Sequence, residues 1–250
     1  MARQTGIIKI KGTIEDLSFL KTQDGHLVRE KGGITAKRMR SDPAFRRTRE
    51  NGSEFGMATA AGKLLRRALH QHLQQSADNR ITSRLVQLLM QVKNYDSVSV
   101  RGQRNVGTGI LEPAAKEILK GFNFNNRSSL NMVLVKPFSV DELTGTFEIP
   151  SLVPINDIKS PEGATHVSIS GLVAHIDFGL GIFSVENTAV VNLSVNDNLS
   201  QNITLSPLAM PGGNGSMFYI LGLRFYQEVN QVQYVLANGV YNALSVVAVS

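Results

Sequence analysis

His-Val-Ser-Ile-Ser-Gly-Leu-Val-Ala-His-Ile-Asp-Phe-Gly-Leu-Gly-Ile-Phe-Ser-Val occupies residues 166–185, and its reading sets the class of the fold. Short runs rich in Val and Ile, punctuated by small or polar residues, are strand signals. The pattern predicts strands over His166–Ser170, Val173–Phe178 and Ile182–Val185, with a turn at Gly179–Gly181. Towards the C-terminus the same pattern recurs at Ala189–Val195, Met217–Glu228, Val232–Leu236 and Leu244–Val249, with turns at Pro211–Gly215 and Asn238-Gly239. Towards the N-terminus it runs back through Gly145–Ile149 to Leu130–Val135. Strands this close, joined by short loops, predict an antiparallel β-sandwich-like domain over residues 121–250. Its last strand is apolar and needs cover, either inside its own sheet or by addition to a neighbour.

Upstream the period changes. Ile81, Leu85, Leu88, Leu89 and Val92 form one stripe of an amphipathic helix whose other face carries Arg80, Arg84, Gln87 and Gln91. Before it, Ser53 can cap a helix carrying Leu65, Leu69 and Leu73. Asp42-Pro43 is the start signal of an earlier helix that holds Arg46, Arg47 and Arg49 and is expected to end near Asn51-Gly52. With a short helix at Pro113–Leu119, residues 41–120 read as a basic helical region.

The first 40 residues read as a β-hairpin arm and a basic loop. Ile7–Lys11 and Ile14–Phe19 alternate like strands, Asp24-Gly25 is a turn, and His26–Arg29 follows. Glu30–Arg40 holds Gly32-Gly33 and Lys37-Arg38-Met39-Arg40 without a hydrophobic period, so it reads as an exposed loop. Two or three short strands cannot bury a core alone. The expected fold is therefore α+β: an N-terminal β arm, a basic helical middle and a C-terminal antiparallel β domain.

Charge is unevenly spread. Residues 29–104 hold 16 of the 26 Lys and Arg but 6 of the 20 Asp and Glu, whereas residues 105–250 hold 6 basic and 11 acidic residues. Such a split speaks to partners rather than to fold. It offers Lys37, Arg38, Arg40, Arg46, Arg47, Arg49, Arg66, Arg67, Arg80 and Arg84 as contacts for a polyanion or for the acidic part of another copy. The segment has the charge to neutralise phosphates but only Phe45, Phe55 and Tyr95 as aromatics, a poor platform for stacked bases. No helix-turn-helix, zinc-finger or RNA-recognition signature accompanies it.

The chain has no Cys, which excludes disulfides, thiolate metal sites and Cys nucleophiles. His70 and His72 are two apart on a helix and cannot chelate one ion together. His166 and His175 read as lying on neighbouring strands, with Asp177 nearby, yet no Ser in a nucleophile-elbow setting joins them. Asp141-Glu142 and the pair Asp157 and Glu162 read as solvated turns, and the glycines of 102–109 and 179–181 fit neither a phosphate loop nor a dinucleotide loop. The sequence therefore predicts no catalytic group, cofactor or metal. No apolar run approaches the roughly 20 residues of a membrane helix. Met1–Gly6 opens without an apolar leader, so the expected location is cytoplasmic, or outside the cell after lysis or non-Sec release.

Three stretches, Gly25–Gly33, Asp42–Gly56 and Phe225–Leu244, resemble a group of uncharacterised proteins of Bacteroidota. The resemblance implies a bacterial origin and carries over no functional residue. The expectation for function is a non-enzymatic structural subunit that assembles with copies of itself into a filament, tube or shell. Its alternative is a nucleic-acid-binding or packaging protein using residues 29–104.

Overall fold

The chain divides into two units, Met1–Arg49 and Glu50–Ser250, in a computed structural model that describes residues 1–30, 33–76 and 78–250. Lys31 and Gly32, and with them part of the expected loop Glu30–Arg40, lie outside the described residues.

The first unit holds β1 (Ala2–Arg3), β2 (Gly12–Ile14), β3 (Leu17–Thr22) and β4 (Gly25–Glu30) in one antiparallel sheet of order β1-β4-β3-β2. Gly25, at φ 110°, makes the expected turn between β3 and β4. Two expectations fail here. Ile7–Lys11 is not a strand, because the Gln4 side chain ties this segment into a loop: Ile10 N–H donates to Gln4 Oε1 at 2.9 Å and Gln4 Nε2 donates to Ile10 O at 3.1 Å. Ile14–Phe19 is split by a turn in which Glu15 takes φ 48°. Within the basic segment, α1 (Ala36–Ser41) forms where a loop was expected, capped by Thr35 Oγ1, which accepts from Arg38 N–H. It buries no residue, which is why no apolar period announced it.

Asp42-Pro43 does start helical structure. Asp42 Oδ1 caps a 3-10 turn over Pro43–Phe45, and α2 (Arg46–Ala68) follows without a break. The expected stop at Asn51-Gly52 is absent. A mid-helix Gly costs only about 1 kcal/mol, and the buried stripe of Glu54, Ala58, Ala61 and Leu65 just beyond it outweighs that.

In the second unit, α2 is followed by α3 (His70–Ser76), α4 (Ile81–Val92), α5 (Val106–Gly109), α6 (Pro113–Leu119) and α7 (Leu130–Val133). Helix α7 replaces the strand expected over Leu130–Val135. Leu130, Val133 and Leu134 are buried at helical spacing while Met132 and Val135 face solvent, a distinction that an unbroken apolar run does not reveal. There follow β5 (Ser139–Asp141), β6 (Thr146–Leu152), α8 (Pro154–Asp157), β7 (His166–Asp177), β8 (Ile182–Asn187), β9 (Val191–Ser194), β10 (Gln201–Leu205), β11 (Ser216–Val229), β12 (Val232–Val235) and β13 (Ala243–Val249).

The runs His166–Ser170 and Val173–Phe178, expected as two strands, form the single strand β7. It pairs with β11 from Ser216↔Ile176 to Tyr226↔His166. Strands β8 and β9 share the outer edge of β7, and β12 and β13 share the other edge of β11. Both faces of this sheet are covered. Leu172, Ala174, Ile176, Phe218, Ile220, Leu244 and Val246 pack on Leu65, Leu85 and Leu89 of the helices. Val167, Ile169, Tyr219, Leu221, Leu223 and Phe225 pack on Phe147, Ile149 and Ile203 of the small sheet β10-β6-β5. Close sheet packing depends on Gly171, where an added Cβ would stand 2.5 Å from the Phe147 ring.

The apolar last strand is an inner strand. Beyond its pairing with β11, its free edge is closed by residues 121–124: Gly121 N–H donates to Val246 O at 2.8 Å, Val246 N–H to Phe122 O at 3.0 Å and Phe124 N–H to Leu244 O at 2.8 Å.

Candidate assembly and polyanion-contact surface

The ten basic residues singled out above divide between the two units. Lys37, Arg38 and Arg40 lie on α1, and Arg46, Arg47 and Arg49 open α2. Asp42 gathers two of them. Arg38 Nε donates to Asp42 Oδ2 at 3.1 Å and its guanidinium lies 5.7 Å from the Phe45 ring centre. Arg49 Nη1 donates at 2.9 Å to both Met39 O and Asp42 O, tying α1 to the turn that follows. The Ala44 N–H, Arg38 and Arg49 together hold the Asp42 carboxyl below the usual carboxylate range.

Arg84 is a structural residue. Its guanidinium pairs with Asp78, donates to Asn123 O at 2.9 Å and Phe124 O at 3.2 Å, and lies over the Phe122 ring. It thus holds the segment that seals β13. Burial alone would raise the Asp78 carboxyl, but the N–H groups of Asn126 and Arg80, with Arg84, keep it low. Arg80 stands at the N-cap position of α4. Arg66 is half-buried, and Arg67 is exposed one residue further along α2.

The most strongly perturbed charges escaped sequence reading. Glu54, 1% exposed on α2, receives Arg104 in a two-pronged pair, the buried Lys93, and the Gly102 N–H at 2.8 Å. Arg104 above all, then Lys93 and Gly102 against the opposing effect of burial, hold its carboxyl down to about 2. Asp96 organises the same loop, accepting N–H bonds from Val98, Ser99 and Asn105. A lone Glu in a helix and a Lys twelve residues after Ile81 give no sequence signal that they will meet.

The smaller candidates separate. His166 and His175 share β7 rather than neighbouring strands; His166 Nδ1 lies 3.5 Å from Glu228 Oε2, and His175 Nε2 accepts the Gly215 N–H. Asp177 Oδ1 accepts the N–H groups of Gly179 and Leu180, each at 2.8 Å. Asp141 caps its own turn through Leu143 N–H and Thr144 Oγ1. His72 is half-buried, and burial followed by the charge of Arg224 lowers it to about 4. Among the described residues no cluster of three His, Asp or Glu is placed to hold a metal ion. Among them, too, no helix is long and apolar enough to cross a membrane.

Comparison with protein-family models, with curated proteins and with solved structures gives no match to this chain.

Proposed function

We propose that the protein is a non-enzymatic structural subunit that joins copies of itself head to tail, the arm of one copy docking on the second unit of the next. One observation carries this reading. Among the described residues of the first unit none is buried, and Ile7, Ile8, Ile10, Ile14 and Leu17 are all exposed. A sheet unit with this many apolar residues exposed gains stability from an outside partner, since burial is worth about 25 cal/mol per Å².

Charge argues that the partner is another copy. The first unit carries 12 basic and 5 acidic residues, whereas the second carries 14 and 15. Asp141, Glu142 and Glu148 lie exposed on the β5–β6 hairpin, and β5 pairs only with β6 among the described residues. An open strand edge beside acidic groups suits a basic β arm. A head-to-tail interface between unlike surfaces propagates into rings or open filaments. The decisive experiment is negative-stain microscopy with light scattering on the full chain at low salt. Large regular particles are expected, and a clean monomer at every salt and protein concentration would sink the reading.

A second reading rests on the cations of α1 and the start of α2, which suit the phosphates of a nucleic acid. Nucleic acid that stays with the protein through nuclease and high-salt washing, and is lost on replacing Arg38, Arg40, Arg46, Arg47 and Arg49 by Ser, would favour it.

A further inference from the structure

A cleft of about 830 Å³ opens in the second unit between α2, residues 105–111, the turn between β7 and β8, and the start of β11. That size falls within the roughly 300–1,000 Å³ of small-molecule sites. Its inner wall is apolar, with Leu64, Val106, Ile110 and Ile176 buried and Phe178 half-buried. Its mouth is cationic. Lys63 and Arg67 are one turn apart on α2, both exposed, and neither side chain has a hydrogen-bond or ion-pair partner among the described residues.

Two further features distinguish this cleft from a merely basic surface. Asp177 is the one acid among its described lining residues, and its Oδ1 is occupied by the Gly179 and Leu180 N–H groups. Ser216, on the opposite wall, is 4% exposed, yet its hydroxyl has no hydrogen-bond partner among the described residues.

We infer that this cleft binds a small organic phosphomonoester, its phosphate at Lys63 and Arg67 and its apolar body against Phe178 and Ile110, within reach of the Ser216 hydroxyl. The charge matches. A phosphomonoester carries about −1.5 to −2 near neutral pH, and Lys63 and Arg67 supply two positive charges against the single carboxylate of Asp177. Arg offers a planar fork to two phosphate oxygens and Lys a compact point charge, a pairing suited to a dianion. The apolar wall favours an esterified phosphate over the free ion. The site is separate from the proposed assembly contact, because neither the first unit nor the β5–β6 hairpin lines it.

Phenyl phosphate is the simplest probe with both parts. Saturation-transfer NMR on the full chain reads its ring protons whatever the size of the assembly. At about 1 mM probe, where millimolar binding is detectable, transfer is expected in the unaltered protein. It should fall at least about tenfold in the Lys63→Ala/Arg67→Ala variant, whose two positions are exposed and whose circular dichroism should match that of the unaltered protein. Ser216→Ala should weaken it, whereas Arg46→Ser/Arg47→Ser in the first unit should leave it unchanged. Absence of transfer, equal transfer to neutral phenol, or a signal that survives the Lys63/Arg67 variant would each overturn the site.

Discussion

Glu54 and Arg104 meet fifty residues apart in sequence, Arg104 Nε at 2.9 Å from Oε1 and Nη2 at 3.1 Å from Oε2, while Lys93 reaches Oε2 from the end of α4. Three elements are thereby fixed around one carboxylate: α2, the end of α4 and the loop that leads into α5. Lys93 is nearly as buried as Glu54, so neither tolerates losing the other.

Glu54→Ala is expected to destabilise the second unit by about 3–5 kcal/mol, because it strands a buried ammonium. Urea denaturation followed by circular dichroism checks this. Adding Lys93→Met should recover part of the loss, since it removes the unpaired charge. A loss under about 1 kcal/mol, or no recovery, would show that the cluster is solvated.

Acid should lower the stability of this unit over two successive pH windows. His72 is lowered from 6.5 to about 4 by burial, so the unfolded chain binds the proton more tightly. Its contribution is full above pH 6.5 and disappears as pH falls from 6.5 to 4. Glu54 is lowered from 4.5 to about 2, so its contribution is present above pH 4.5 and lost between 4.5 and 2. His72→Gln should flatten the pH dependence of stability in the upper window and leave the lower one intact.

Assembly, if built on opposed charges, should weaken with salt, since the Debye length falls from about 10 Å at 0.1 M to about 3 Å at 1 M. Removing residues 1–28 should abolish large species in light scattering while the second unit keeps its circular dichroism. Unfolding of the remainder would instead place the arm in the core of its own subunit.

Replacing Arg38, Arg40, Arg46, Arg47 and Arg49 by Ser separates the two functional readings. If they meet acidic groups of a neighbour, assembly falls and duplex binding barely changes. If they hold phosphates, the log–log salt slope of duplex binding flattens by about 0.9 for each phosphate no longer neutralised, and assembly survives.

Gly171→Ala tests the layer between the two sheets. The added Cβ would meet the Phe147 ring at 2.5 Å and the Thr188 methyl at 3.1 Å. Overpacking of this kind typically costs about 1–3 kcal/mol. A variant as stable as the parent in urea would mean that Phe147 has room to move.

Local pattern was enough wherever a segment's partner is local or its period is clean. The Ile81–Val92 stripe forms α4, Pro113 opens α6, and the turns at Asp24-Gly25 and Gly179–Gly181 lie where their residues demand. Most strands after residue 145 were legible because Val and Ile runs broken by turn residues have few other outcomes, but β10 (Gln201–Leu205), whose buried Ile203 and Leu205 are set among polar residues, gave no such run and was missed. Tertiary structure decided the rest. Leu130–Val133 became helix because its buried partners lie at spacing three and four, and α2 ran through Gly52 because its buried face continues on both sides of Ala58. Which face of β7 meets helices and which meets the small sheet is invisible in a strand apolar on both sides. The Glu54 cluster and the Lys63–Arg67–Ser216 cleft join residues between four and over one hundred and fifty positions apart. Only the closed chain brings them together, because burial and Coulomb attraction act on distance in space, and sequence separation carries none of it.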